Sequence, residues 1–383
     1  MEMTTSTTMQ STIQSTMEPK LVSMNTYDDT LEFTLENLEL SFANALRRTI
    51  LSDIPVVCFK TYPEKENQCK IQVNTSKHNN EIIKQRLSCI PIHITDENFP
   101  LETYELVVEK ENNTNNTIYV TTEDFKIRNI LNDKYLTEEQ VHKIFPPNKK
   151  TKQYIDFVRL RPRLSDDIPG EQLMLTCKFS KANAKVDGMF NVASTCSYGF
   201  TMDNVKVEKI WEMKENELRK EKIDDLEIAN EKKNFMLLDA ERITKSNSYD
   251  FIVETIGIYE NTSLIKNACK IIQTKLMNIQ NLLKDDEIGI QESQTSMDNC
   301  YDVKLTNEDY TIGKLIENML HSTYITQENV MSFCGFKKFH PHDDYSIIRV
   351  AYNDKISMSE IKEHIVHCCT NINQVFDKIV ELF

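Results

Sequence analysis

Ser41-Phe-Ala-Asn-Ala-Leu-Arg-Arg-Thr-Ile-Leu-Ser-Asp-Ile-Pro55 is the stretch on which the fold turns. A serine ahead of an apolar-periodic run is a good N-cap and a proline behind it a stop, so the spacing predicts a helix of about three turns. At about 100° per residue, Phe42, Ala45, Leu46, Thr49 and Ile50 share one arc, with Ala43 and Ile54 at its edges. That is the wide apolar stripe of a helix packed on one side. Arg47 borders the stripe, and Arg48 is expected to point away from it.

The same pattern returns 270 residues later. Leu35, Asn37, Ser41, Phe42, Ala43, Leu46 and Ile50 align with Leu305, Asn307, Thr311, Ile312, Gly313, Ile316 and Leu320. The stripe recurs as Ile312, Leu315, Ile316, Met319 and Leu320, but Glu317 and Asn318 stand where the arginines were. A repeated buried face with an unrepeated charge implies two similar halves packed on each other, with a third party recognised by one of them.

Composition narrows the function. With 383 residues the chain can hold two or three domains, and 40% apolar with 27% charged is ordinary for a globular protein. A formal charge of −14 argues against direct DNA or RNA binding, because phosphate neutralisation supplies most non-specific affinity. Only 7 glycines argue against a phosphate-cradling loop. The ten cysteines form no CxxC or CxC pair and read as reduced, mostly buried thiols of an intracellular protein. No apolar run approaches the ~18 residues of a membrane span, and no signal-peptide core is evident.

Around the first helix, Leu31-Glu-Phe-Thr-Leu35, Val56-Val-Cys-Phe59 and Cys69-Lys-Ile-Gln-Val73 read as strands. Asn79 caps a helix carrying Ile82, Ile83 and Leu87 that ends before Pro91. The ordered motifs Phe42-Ala-Asn-Ala-Leu-Arg-Arg48, Asp53-Ile-Pro55, Asn74-Thr-Ser76, Glu81, Arg86-Leu87 and Ile90-Pro91 resemble the alpha-like D subunit family of DNA-directed RNA polymerases. The resemblance implies that Arg47 and Arg48, with Asn44 beside them, grip the second-largest subunit. Farther on, Asp309-Tyr-Thr-Ile-Gly-Lys-Leu-Ile316, Val330, Cys334-Gly-Phe336, His340-Pro341 and Ile347-Ile-Arg-Val350 resemble the small L subunit, the usual partner of D. Tyr310 and Lys314 depart from that pattern, where His and Asn are frequent.

The expected fold class is α+β: two alpha-like dimerisation modules, each of small sheets and paired helices, forming an intramolecular pseudo-dimer with a β-rich insertion domain. The expected divisions are a disordered polar tail (1–18), the first part of the D-like domain (19–95), the insertion (96–206), a charged helical connector (207–246), the second part of the D-like domain (247–284), a linker (285–299) and the L-like domain (300–383). In the insertion, Leu173-Met-Leu-Thr-Cys-Lys-Phe179 alternates like a strand, and Thr137-Glu-Glu-Gln140 is a capping box. Thr262 or Ser263 opens a long helix, matched by a last one from Ser359 to Phe383. The expected interface within the chain is Phe42, Leu46, Ile50, Leu276 and Ile279 against Ile312, Leu315, Ile316, Leu320, Ile372 and Phe376. A flexible linker of ~15 residues would raise the effective concentration of the halves to roughly millimolar.

No constellation for catalysis emerges. Many relatives carry a four-cysteine metal loop in the insertion, but here only Cys177 and Cys196 lie there, so neither metal nor cofactor is expected. His340, His342, Asp343 and Asp344 are read as a turn, and Asp28-Asp29, Asp166-Asp167 and Asp285-Asp286 as loop carboxylates. The resemblance implies a non-catalytic assembly platform that docks the second-largest and largest polymerase subunits and small accessory subunits, with no sequence-specific DNA contact. The alternative is a stand-alone adaptor of the same fold. Fused D and L halves resemble those of large nucleo-cytoplasmic DNA viruses, which implies the host cytoplasm and the virion, with the nucleus as the alternative.

Overall fold

The computed structural model describes residues 17–96, 98–163, 165 and 169–383. The expectations for residues 1–16 of the tail and for the Asp166-Asp167 pair lie outside the described residues.

The chain opens with the hairpin β1 (Lys20–Tyr27) and β2 (Thr30–Glu36), followed by α1 (Leu40–Ser52). Next come β3 (Val56–Cys58), β4 (Cys69–Asn74), α2 (Asn80–Ser88), β5 (Tyr104–Glu111), β6 (Ile118–Thr121), β7 (Lys126–Asn129), α3 (Glu138–Ile144), β8 (Asp156–Leu160), β9 (Gln172–Lys178) and β10 (Ser180–Ala182). β11 (Ala193–Met202), α4 (Asn204–Lys220), α5 (Asp225–Leu238), β12 (Thr244–Thr255) and the long α6 (Asn261–Lys284) complete the first two-thirds. The remainder is β13 (Ile290–Glu292), β14 (Cys300–Thr306), α7 (Tyr310–Leu320), β15 (Met331–Lys337), β16 (Tyr345–Tyr352) and α8 (Met358–Leu382).

Two four-stranded antiparallel sheets share one strand order. The first runs β1-β2-β12-β11 and the second β13-β14-β16-β15. In both, the first two strands lead into a shorter helix, α1 or α7, and the last two into a long one, α6 or α8. Period-2 patterning sets the register: Leu31, Phe33 and Leu35 of β2 lie opposite Val253, Phe251 and Tyr249 of β12, and all six are buried. Phe33 and Phe251 stack with ring centroids 4.9 Å apart. The four helices and both sheets contribute to a single hydrophobic core.

A second core is built from the sheet β4-β9-β5-β7 and the pair β6–β8. Leu173, Leu175 and Cys177 of β9 point into it while Met174 and Thr176 lie half-buried, which is the expected alternation. Thr137 and Gln140 make the expected capping box, and Asn79 caps α2 through the Ile82 amide.

The boundaries expected for this body, 96 and 206, need correction at both ends. β4 joins its sheet, and Phe59, Ile83, Leu87, Ile90 and Ile92 are buried within its core, so its packing begins well before residue 96. At the far end, β11 pairs with β12 from Ala193↔Thr255 to Met202↔Thr244 and belongs to the first sheet. Buried apolar faces decide these edges, and they cut across an unbroken run of family-like motifs.

Three local expectations also change. α1 starts at Leu40 after Glu39, so Ser41 is not its cap; the buried Ser41 hydroxyl has no partner among the described residues. α6 begins at Asn261, whose side-chain amide donates to the Asp29 carbonyl across 2.8 Å, ahead of Thr262 and Ser263. The span 285–299 is not a free coil, because β13 pairs with β14 and Ile288 is buried. The flexible-chain estimate of effective concentration therefore does not apply to it. The charged connector is helical as expected, α4 and α5 packing around a small core of their own, Val207, Trp211, Ile228, Phe235 and Ala240. Its Trp211 and Phe235 rings lie 5.5 Å apart.

All ten cysteines are free thiols, of which eight are buried, Cys89 is exposed and Cys334 is half-buried. Among the described residues, no helix is long and apolar enough to cross a membrane. No group of three or more His, Cys, Asp or Glu is placed there to hold a metal ion.

Candidate partner-docking face and four-helix core

The stripe that opens the sequence faces inward. Phe42, Leu46 and Ile50 are fully buried, as are Ile312, Leu315, Ile316 and Leu320 on α7. Leu276, Ile372 and Phe376 are likewise sealed, and Ile279 retains only 4% exposure. α1 packs on both α6 and α7, and α8 on both α6 and α7, so residues from the two sheet-and-helix sets interleave. The Phe42 and Phe376 rings lie 5.4 Å apart, tilted by 38°.

Polar side chains fix how α6 lies on α8. The Gln273 amide donates to Asp377 at 2.7 Å, and the Gln280 amide donates to Thr370 at 2.9 Å. Beyond the helix end, Lys362 pairs with Asp286. Each step forward along α6 is a step back along α8, so the two helices run antiparallel. Hydrogen bonds at the rim of such an apolar seam favour one register, since a slip would break both.

On the other flank of α1 the two arginines part company. Arg47 donates to Asn44 Oδ1 from Nε at 3.2 Å and from a terminal nitrogen at 2.9 Å, and has no carboxylate partner among the described residues. Arg48 reaches across to α7. Its Nε donates to Thr311 Oγ1 at 2.8 Å, and its terminal nitrogen lies 3.3 Å from Asp309. The expectation that Arg48 points away from the stripe is thereby corrected, with 38% of its side chain still exposed. The long side chain closes on Asp309 and Thr311 at the start of α7.

Arg48 belongs to a charged cluster that the sequence reading missed. Asp53, just beyond α1 and 8% exposed, pairs with Lys275 of α6 and sits 3.1 Å from Lys185. Lys185 in turn lies 3.9 Å from Asp309. Burial opposes ionisation of Asp53, but hydrogen bonds from Lys275 and Ser52 and the two lysine charges outweigh it and hold its carboxyl below the usual range. Asp309 behaves alike: burial is overcome by the Thr311 hydrogen bonds and by Lys185 and Arg48. Glu308 goes the other way, pushed up to about 7 mainly by burial, with Asp309 and Asp53 adding to the rise against Lys275 and Lys185. One signal for this cluster was in the sequence: Lys275 interrupts the apolar face of α6, and a lone cation there calls for a buried anion.

The first carboxylate pair makes ordinary surface ion pairs. Asp28 and Asp29 meet Lys150 and Lys149 at 2.7 and 3.1 Å, bridging the first hairpin to the second core.

Comparison with known proteins bears on this geometry. Residues 32–276 match the model of the RNA polymerase Rpb3/Rpb11 dimerisation domain, so the match takes in α1 and most of α6 and stops before the second sheet. The chain is similar to the DNA-directed RNA polymerases IV and V subunit 3B of Arabidopsis thaliana, at 25% identity over 318 residues, covering 68% of this chain and 92% of that protein. It is also similar to the DNA-directed RNA polymerase subunit Rpo3 of Pyrococcus horikoshii, at 35% identity over 79 residues, covering 21% of this chain and 28% of that protein. A third similarity is to the conjugation stage-specific protein of Tetrahymena thermophila, at 27% identity over 186 residues, covering 45% of this chain and 56% of that protein.

Proposed function

The chain belongs to the RNA polymerase Rpb3/Rpb11 dimerisation-domain family, and from that premise we propose that it is a non-catalytic assembly platform of a DNA-directed RNA polymerase with its D-like and L-like halves fused in one chain. The observation that carries this reading is the shared strand order of the two sheets, each feeding one helix pair into a common core. That arrangement supports an intramolecular pseudo-dimer, with β1, β2, α1, β11, β12 and α6 as the D-like module and β13 through α8 as the L-like one. The body around the second core is then an insertion within the D-like module.

The division of labour between the arginines supports a docking face. Arg48 is spent inside the chain, holding α1 to α7, and so is not part of the proposed grip. Arg47 is the guanidinium without a carboxylate, pre-set by Asn44. A planar fork held in place suits backbone carbonyls or carboxylates of a second protein. In this proposal Arg47 and Asn44 meet the second-largest subunit, and the largest and accessory subunits follow. The chemistry of transcription belongs to the large subunits. The fused layout also fits a viral source, with assembly in the host cytoplasm and carriage in the virion.

Co-expression with the second-largest subunit tests the proposal. Arg47→Glu should leave stability within about 0.5 kcal/mol, as for a surface change, while abolishing co-purification. Retained binding would refute the grip, and a chain that captures no polymerase subunit would instead be a stand-alone adaptor.

A further inference from the structure

The second core carries a cleft that the assembly role does not use. It runs between α2 and β8 and is divided by Arg86. That guanidinium donates from Nε to the Phe157 carbonyl at 2.7 Å and from a terminal nitrogen to the Asp156 carbonyl at 2.8 Å. On one side lies a hollow of about 340 Å³ bordered by Lys77, Arg159 and Arg161. On the other is a hollow of about 320 Å³ bordered by Cys89, Ile90 and Ile155.

The cationic hollow is built from two kinds of charge. Arg161 is fixed by Glu171, 7% exposed, which accepts from the Arg161 backbone amide at 2.7 Å and from its guanidinium at 2.5 Å. Lys77 and Arg159 have no ion pair or side-chain hydrogen bond among the described residues. Both are exposed, so with Arg161 the border of this hollow gathers three cations on a chain of net charge −14. The other hollow is mixed, with Cys89, Ile90, Ile155 and Phe157 beside Gln85, Arg86 and Asp156, and Ile155 is 41% exposed in it.

We propose that this cleft takes an extended acidic segment of a partner protein. An apolar side chain would seat against Cys89, Ile90 and Ile155, and carboxylates beyond it would meet Lys77, Arg159 and Arg161. The half bordered by Cys89, Ile90 and Ile155 selects a peptide over a polyphosphate, because a phosphate chain gains nothing from those side chains. Tyr119, 47% exposed at the same border, could stack a base, so nucleic acid is the competing occupant to be tested.

Fluorescence anisotropy on the full chain decides the matter. The probes are a labelled peptide of one leucine followed by four aspartates, its four-asparagine counterpart, and a labelled oligothymidylate of equal charge. The aspartate peptide should bind at least roughly tenfold more tightly than either control, and weaken as salt rises. The double variant Lys77→Glu/Arg159→Glu should lose about tenfold with an unchanged melting temperature, because neither side chain supports the fold. Ile155→Ser should weaken binding while leaving its salt dependence intact. No binding of the aspartate peptide, equal binding of the asparagine peptide, indifference to the charge reversals, or tighter binding of the oligonucleotide would each overturn the proposal. None of these readouts involves Arg47, so the cleft and the assembly platform stand or fall separately.

Discussion

Replacing Glu308 by Gln should stabilise the protein at alkaline pH and do nothing in acid. Glu308 precedes α7 within the charged cluster that joins α1, α6 and α7. Burial is the main reason its carboxyl is pushed from 4.5 up to about 7, and the lysines nearby only partly offset it. The folded protein thus holds this proton where the unfolded chain has released it, and stability falls as pH rises from about 4.5 to about 7. Above that window the cost of the buried charge is constant. At ~1.4 kcal/mol per pH unit the displacement is worth ~3 kcal/mol, an upper bound because the side chain is not wholly sealed. Glu308→Gln should therefore gain about 1–3 kcal/mol at pH 8 and nothing near pH 4.5. Urea unfolding of both chains at pH 5, 6, 7 and 8 gives the difference directly. Asp53 and Asp309 act in the opposite sense, but their carboxyls lie below the usual 3.8, so both stay ionised across pH 5 to 8 and add no slope there. An equal gain at pH 5 and pH 8, or a loss at pH 8, would show that Glu308 is not a buried carboxyl of this kind.

Gly313→Ala should destabilise by about 1–3 kcal/mol, because a methyl group there overlaps the buried Phe336 ring; a melting curve superimposing on that of the parent would show that α7 does not pack so closely on β15. A protease site placed in the span 294–297, between β13 and β14, should yield two fragments that co-elute on a sizing column, since the four-helix core and the β13–β14 pairing survive the cut; clean separation would deny the shared core.

The stripes, the two long helices and the second copy of the α1 pattern were legible because burial imposes a period that composition cannot hide. Phe42, Leu46 and Ile50 and their counterparts in α7 are fully buried where the repeat places them. The edges of the second core were not legible. Ile83 and Leu87 carry a good helical stripe, but a stripe says that a face is covered and not which sheet covers it. β11 was assigned to the wrong body for a related reason: Ala193–Met202 has weak alternation, and its place follows from pairing with β12, a contact across some 50 residues of chain. The span 285–299 looked like a linker because it is polar, yet a strand of three residues needs only backbone groups to join a sheet edge.

The unrepeated arginine pair began as evidence of a third party, and the structure divides that evidence. One of the two asymmetries has an internal cause: Arg48 answers Asp309 and Thr311, and α7 needs no matching arginine because α1 has already supplied the cation that bridges them. One bridge between α1 and α7 needs one cation, which α1 supplies, so the lack of an arginine in α7 carries no information about outside partners. Arg47 is not explained this way. Among the described residues its only side-chain hydrogen bonds go to Asn44, three residues back on the same helix, and they hold the guanidinium without neutralising it. A half-buried cation left without a counter-charge in an acidic protein is the part of the pattern that still asks for a partner, and the reason the docking test turns on residue 47 alone.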